Sequence, residues 1–129
     1  MKYAANSMTW LYPFTTESLW LLGKIKELGF DGAEIAIRQE GDIDYAAARD
    51  ALTKVGLEPV VCVIMSPDRD LISDDPQLRS NSKEYLKHCV DAVTAMGGKT
   101  VVGPIYSWVG RKEQWSDAER ARLEEMCAE

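Results

Sequence analysis

Cysteine is scarce and shows no pairing pattern. Cys62, Cys89 and Cys127 are the three thiols of the chain, widely spaced, and no CxxC occurs. An odd count at such spacing argues against a disulfide scaffold and a zinc finger, and reads as reduced thiols in a cytoplasmic protein. Histidine is scarcer still. His88 stands alone, so Ser-His-Asp or Cys-His catalysis would rest on it without an alternative. It falls between Lys87 and Cys89, off the apolar stripe of its helix, which puts it on a solvated face rather than in a catalytic or ligand role. The glycine-rich phosphate cradles GxxxxGK[ST] and GxGxxG are both missing. No apolar run approaches the roughly 18 residues that span a membrane, and residues 1–6 lack the apolar stretch of a signal peptide. Positive charge is the minority: 15 Lys and Arg against 21 Asp and Glu, a formal charge of −6. Such a chain repels phosphate backbones, so neither nucleic acid nor a membrane is an expected partner.

What remains is ordinary globular material, 129 residues with 46% hydrophobic and 28% charged. The expectation is a single domain over residues 1–129, able to bury roughly two-thirds of its unfolded surface. Strand and helix patterns alternate along it. Residues 2–8 read as a first strand. Residues 17–28 read as a helix with Trp20 or Leu21, Ile25 and Leu28 facing inward, Thr16 as N-cap and Gly29 as stop. Residues 33–37 form a second strand. A helix over about 44–55 follows, with Asp42 as a cap, Tyr45, Ala48, Leu52 and Val55 as its stripe, and Gly56 as its stop. The apolar run 59–64 is a third strand, with Pro59 tolerable only near its start.

After a polar loop over 66–74, Asp75-Pro76 reads as N-cap and first helical residue. That helix runs to Met96 on a stripe of Tyr85, Leu86, Cys89, Val90, Val93 and Met96. Residues 100–102 form a short fourth strand. Ser116 and Glu119 form a capping box that opens a last helix. Strands separated by helices, with no hairpin signal, imply right-handed parallel βα units.

Four such units are half of a (β/α)₈ barrel, which takes roughly 250 residues. The fold class expected is therefore α/β, the N-terminal half of a TIM barrel. The last helix ends Glu124-Glu125-Met126-Cys127-Ala128-Glu129 without a glycine stop or a cationic last turn. Negative charge there opposes the helix dipole by about 0.3–1 kcal/mol per well-placed charge. This suggests a chain cut in or just after its fourth helix, the alternative being a complete four-stranded domain with a frayed tail. An open half-barrel would expose an apolar inner face and two strand edges, so a homo-oligomer is expected.

Particular residues carry a family resemblance. Leu28-Gly29-Phe30-Asp31-Gly32-Ala33-Glu34-Ile35 resembles the second-strand entry of the sugar isomerase/epimerase superfamily with a xylose-isomerase-like barrel. Asp75-Pro76 with Arg79, then Tyr85-Leu86-Lys87, Val90-Asp91, Met96-Gly97-Gly98 and Gly103-Pro104-Ile105-Tyr106-Ser107, are similar to the D-tagatose/D-psicose 3-epimerase branch. The resemblance covers nearly the whole chain, but only the first half of a family barrel. It implies an enzyme that moves a proton alpha to a ketose carbonyl through a cis-enediolate. It also implies a divalent ion (Mn²⁺, Mg²⁺ or Co²⁺) held by two Glu, one Asp and one His of the second half, the two Glu also exchanging the proton. No position here matches those ligands, so no catalytic or metal-binding residue is assigned, and the chain is expected to be inactive alone.

Barrel sites lie at the C-terminal ends of strands. That criterion selects Asn6, Trp10, Glu34, Met65, Tyr106 and Trp108 as candidates for contact with a small-molecule ketose. The resemblance implies an aromatic wall after the first and fourth strands, where Trp10 and Trp108 would cover the sugar's C–H face. Each is also readable as plain loop packing. Glu34, in an apolar strand, either lines the barrel mouth or makes a structural ion pair. Asn6 and Tyr106 could each bond a hydroxyl or serve a turn. Met65 and Cys62 could floor one end of the sugar, core packing being the other reading of Cys62. Asp68, Asp70, Asp74 and Asp75 lack the spacing of a calcium loop and read as a solvated loop. Two rival functions remain: a self-associating half-barrel without catalysis, and another family member such as an inosose dehydratase, a hydroxypyruvate isomerase or an endonuclease-IV-like protein. The acidic charge disfavours the last of these.

Overall fold

The computed structural model describes residues 1–128. It contains one parallel sheet in which the strands neighbour each other in chain order: β1 (Ala4–Asn6), β2 (Gly32–Ile37), β3 (Glu58–Val63) and β4 (Thr100–Val102). Between them lie α1 (Trp20–Glu27), α2 (Tyr45–Val55) and α3 (Pro76–Ala95), and α4 (Asp117–Ala128) follows β4. Sequential parallel order is the arrangement of a barrel wall, and four strands are half of its complement.

Strand parity decides which face is covered. Ala5, Ala33, Ile35, Ile37, Val61 and Val63 join Leu21, Leu22, Ile25, Ala48, Leu52, Cys89, Ala92, Val93 and Met96 in one core cluster. Because side chains alternate along a strand, Asn6, Glu34, Ala36, Val60, Cys62 and Val102 point to the opposite face. α1, α2 and α3 all pack on the first face, and the second is the inner wall of the barrel. The expectation of an incomplete ring rather than a doubly covered flat sheet is met.

Element ends differ from the sequence reading where side chains bond the backbone locally. The first strand stops at Asn6 because its Oδ1 accepts from Met8 N at 2.8 Å and turns the chain into a 3₁₀ turn, Ser7–Thr9. Ser7 Oγ then accepts from Ala36 N at 3.2 Å, extending the ladder where the backbone has left it. Thr16 does not cap α1. A 3₁₀ turn, Thr16–Ser18, precedes that helix, with Thr15 N donating to Ser18 Oγ at 3.2 Å. Thr16 Oγ1 accepts instead from Asp44 N at 2.9 Å. Asp44, not Asp42, caps α2, its Oδ1 accepting from Ala46 N and Ala47 N at 2.9 and 3.0 Å. Asp75 caps α3 with Pro76 following, and the Ser116–Glu119 box forms ahead of α4, both as expected.

Of the two residues offered at the first inward position of α1, Leu21 is buried and Trp20 is 67% exposed, and Ile25 is buried as expected; two inward assignments fail, Leu28 at 53% and Val90 at 52% exposed. The solvated position expected for His88 is also corrected: it is half-buried, and its Nε2 lies 2.8 Å from Tyr45 Oη, joining α2 to α3. The acidic chain end at Glu129 lies outside the described residues. Among those described, no helix is long and apolar enough to cross a membrane.

Tyr85 of α3 ties the ends of two strands together. Its hydroxyl donates to Ile37 O at 2.5 Å and accepts from Ile64 N at 2.9 Å. The Arg69 guanidinium lies 4.0 Å from its ring centroid. Burial pushes the phenol far above its ordinary range, so it stays a donor. The Tyr85→Phe variant strands a buried carbonyl and a buried N–H, and should lose about 1–3 kcal/mol in urea unfolding. A loss indistinguishable from zero would mean that the two strand ends do not need this hydroxyl.

Candidate functional site

The C-terminal ends of the strands carry the polar groups. Asn6 is the last residue of β1 and faces Glu34 across the ladder in register. Its Nδ2 donates to Glu34 Oε1 at 2.8 Å while its Oδ1 accepts from Met8 N. The carboxylate needs a donor and the amide N–H needs an acceptor, so this environment leaves the Asn6 amide one orientation. The Asn6–Glu34 bond joins the end of β1 to β2 on the face opposite the helices.

Cys62 is on the same face, opposite Ala36 and diagonal to Glu34. It is 6% exposed, and its thiol is pushed up to about 11, chiefly by burial and then by the Glu34 carboxylate. It is therefore a neutral thiol, not a nucleophile.

The other expected contacts divide. Trp10 ends the first 3₁₀ turn and is exposed. Met65 is 2% exposed and belongs to the helix-packed cluster. Its carbonyl accepts from Val109 N at 3.3 Å and holds the loop that follows β4. Trp108, in that loop, is half-buried against the core cluster. Tyr106 is exposed and lines a cavity of about 470 Å³ with Ile72, Trp115, Leu123 and Cys127. The structure thus joins Asn6 to Glu34 directly, while Trp108 packs on the helix-side cluster to which Met65 belongs. Tyr106 lies in a cavity on the α4 side.

Sequence reasoning gave Cys62 two roles and missed its pairing with Glu34. The signal was available in the period of two, but only once the parallel register is known. It also missed the fork at the end of β2, where Arg38 Nε and Nη2 donate to Asp42 Oδ2 and Oδ1 at 2.9 and 3.0 Å. This is why Asp42 is not free to cap α2.

Among the described residues, no three His, Cys, Asp or Glu side chains gather where they could hold a metal ion. Around Glu34 the partners are an amide and a thiol kept neutral, not a set of anionic donors. A divalent ion does not fit this stretch of chain by itself.

The parallel sheet with helices between its strands agrees with the comparisons. A family model described as a xylose isomerase-like TIM barrel matches residues 22–129, and the chain belongs to that family. Two curated relatives are similar to it. A ketose 3-epimerase of Arthrobacter globiformis is 29% identical over 108 residues, 83% of this chain and 37% of that protein. An L-ribulose 3-epimerase of Methylomonas sp. (strain DH-1) is 31% identical over 112 residues, 86% and 39% of the two chains. The chain therefore spans less than two-fifths of the length of these relatives. A D-allulose 3-epimerase from Methylomonas sp., solved in complex with D-allulose, superposes with a TM-score of 0.86 at 24% identity, covering 98% of this chain and 45% of that one. A D-psicose 3-epimerase from Clostridium cellulolyticum H10, solved with D-tagatose, gives 0.76 at 20%, covering 98% and 46%. These structures share the fold, the N-terminal half of such a barrel.

The Arg38 fork holds the Asp42 carboxyl below its ordinary range. A lowered folded value means that the pair stabilises fully above the unfolded carboxylate range. That contribution disappears as pH falls through the folded value. The Arg38→Met variant should therefore be less stable than the parent near pH 7, with the gap narrowing in urea unfolding as pH falls below the ordinary aspartate range. A gap that persists at the acid end would assign the effect to packing of the arginine stem.

Proposed function

We propose that this chain supplies the sugar-facing wall of a ketose 3-epimerase. The observation that carries the reading is the Asn6–Glu34 pair on the face of the sheet opposite the helices, at the strand ends where barrel enzymes bind substrate. Its support is the similarity to a ketose 3-epimerase and an L-ribulose 3-epimerase, and the fold shared with an epimerase that holds D-allulose.

In this reading the Glu34 carboxylate accepts a hydroxyl hydrogen bond from the ketose and Asn6 holds the carboxylate in place. Trp108 and Trp10 cover the C–H face and exclude water, and Met65 supports the Trp108 loop from below. Tyr106 closes the outer end of that loop. The reaction class is removal and return of a proton alpha to the ketose carbonyl. These residues bind and orient the sugar. Neither the proton transfer nor the divalent ion implied by the family resemblance is assigned to them, and the chain alone is expected to show no turnover.

The test is a fusion of this chain to the C-terminal remainder of the Methylomonas L-ribulose 3-epimerase, assayed in D₂O with Mn²⁺ on D-fructose, D-tagatose and D-psicose. The expected result is deuterium uptake at C3. Glu34→Gln in the fusion should lower kcat/KM by about 10- to 100-fold, the worth of one charge-assisted hydrogen bond. A folded fusion that exchanges no proton with any of the three sugars would overturn the reading.

A second reading rests on the two sheet edges, since β1 and β4 each have a single neighbour. It makes the chain a non-catalytic half-barrel that associates with a second copy. It requires a dimer in sedimentation velocity together with an inactive fusion.

A further inference from the structure

Among the described residues, Asp70 is the only charged residue that is buried. The proposed sugar wall does not use it. It lies in the loop after β3, where its Oδ1 accepts from Ile72 N at 3.2 Å. Its Oδ2 accepts from Arg111 Nη1 at 2.5 Å. Arg111 comes from the loop after β4, and its side chain is 19% exposed against 5% for Asp70. The same guanidinium pairs with Glu113 and lies 5.6 Å from the Trp115 ring centroid.

This contact anchors the long irregular stretch between β4 and α4. Near its start, Gly103 has φ +131° and passes so close to β3 that a Cβ would stand 2.7 Å from Val63 O. Further on, Val109 N reaches Met65 O and Arg111 N reaches Trp108 O, at 3.3 and 3.4 Å. Gly110 has φ +111°, and the Trp108 ring lies over it, 2.9 Å from where a Cβ would be. The Trp108 side chain thus packs on the core cluster and over Gly110, and its carbonyl accepts from Arg111 N. Arg111 in turn is held by a carboxylate enclosed in the neighbouring loop. A buried ion pair contributes little net stability, but leaving one partner unpaired is costly, so the pair favours one arrangement of the loop over its alternatives. The exposed pair between Arg122 and Asp74, with side chains 52% and 80% exposed, has no such leverage.

We propose that Asp70 is a positioning residue: through Arg111 it fixes the loop after β4 that carries Trp108, and so shapes the wall which that loop offers to the ketose. The clasp itself is independent of the sugar. Its effect on the ketose rests on the function proposed above.

Hydrogen exchange read by mass spectrometry tests the clasp on the chain as it exists. In Asp70→Asn, peptides within 104–115 should exchange about tenfold faster while peptides over 33–37 and 60–63 keep the parent rate. Arg111→Lys, which keeps the charge and loses the fork, should fall between the two and provides a second reading should Asp70→Asn fold poorly. Asp74→Asn should match the parent. An unchanged loop, a loop that speeds up only in step with the strands, or equal effects from Asp70→Asn and Asp74→Asn would each overturn the clasp.

In the active fusion, Asp70→Asn should raise KM about five- to tenfold with kcat within about twofold, the pattern of lost substrate positioning. An unchanged KM would remove the positioning role. A parent fusion without turnover would sink the proposed function and leave the exchange result to decide the clasp.

Discussion

The structure depends on strand parity in a parallel register. Each strand has two faces, and in this chain one residue class on β1, β2 and β3 is apolar throughout: Ala5, then Ala33, Ile35 and Ile37, then Val61 and Val63. Helices cover that face because it removes the most apolar surface from water. The remaining face collects what the helices do not cover, and there Asn6, Glu34 and Cys62 meet. A shift of one residue in the β1–β2 register would carry Glu34 into the helix-packed core, where an unpaired carboxylate is intolerable. The polar pair at the strand ends and the apolar core are therefore two consequences of one alignment.

The strand ends are built with side chains where backbone pairing stops. Asn6 ends β1 by bonding Met8 N, and Ser7 takes up the donor of Ala36 that β1 no longer reaches. Tyr85 satisfies both Ile37 O and Ile64 N. Arg38 and Asp42 fork across the exit of β2. Each device leaves an irregular loop with its polar groups partnered, and no buried side-chain nitrogen or oxygen among the described residues lacks a hydrogen bond. A site on such loops is as precise as its supports, which is why Asp70 and Arg111 matter to a tryptophan that neither of them resembles in chemistry.

Much of the architecture was legible in advance. Glycine and proline mark the joints: Gly56 adopts a left-handed φ of +70° just past α2, and Asp75-Pro76 opens α3. Helix faces were less legible at their margins. Spacing left Trp20 and Leu21 as alternatives and packing chose Leu21, while Leu28 and Val90 have the right hydrophobicity at nearly the right spacing yet stay exposed. The half-buried setting of His88 was hidden because its partner, Tyr45, lies 43 residues away on another helix. Of the candidate site, Asn6 and Glu34 were selected one by one. Their bond to each other was not, because nothing in a linear sequence states which residues of two parallel strands stand side by side.

Local chemistry determined the alternation of strands and helices, the caps and stops, and the family motifs around Asp31-Gly32-Ala33-Glu34 and Gly103-Pro104-Ile105-Tyr106-Ser107, because these depend on residues a few positions apart. Only the tertiary structure decided that Glu34 meets Asn6 and Cys62, that Asp70 grips Arg111, and that Trp108 stands over its own loop glycine. Those contacts join residues 28 to 41 positions apart or depend on how a loop closes on itself, and their energies exist only once the sheet register has brought the partners together.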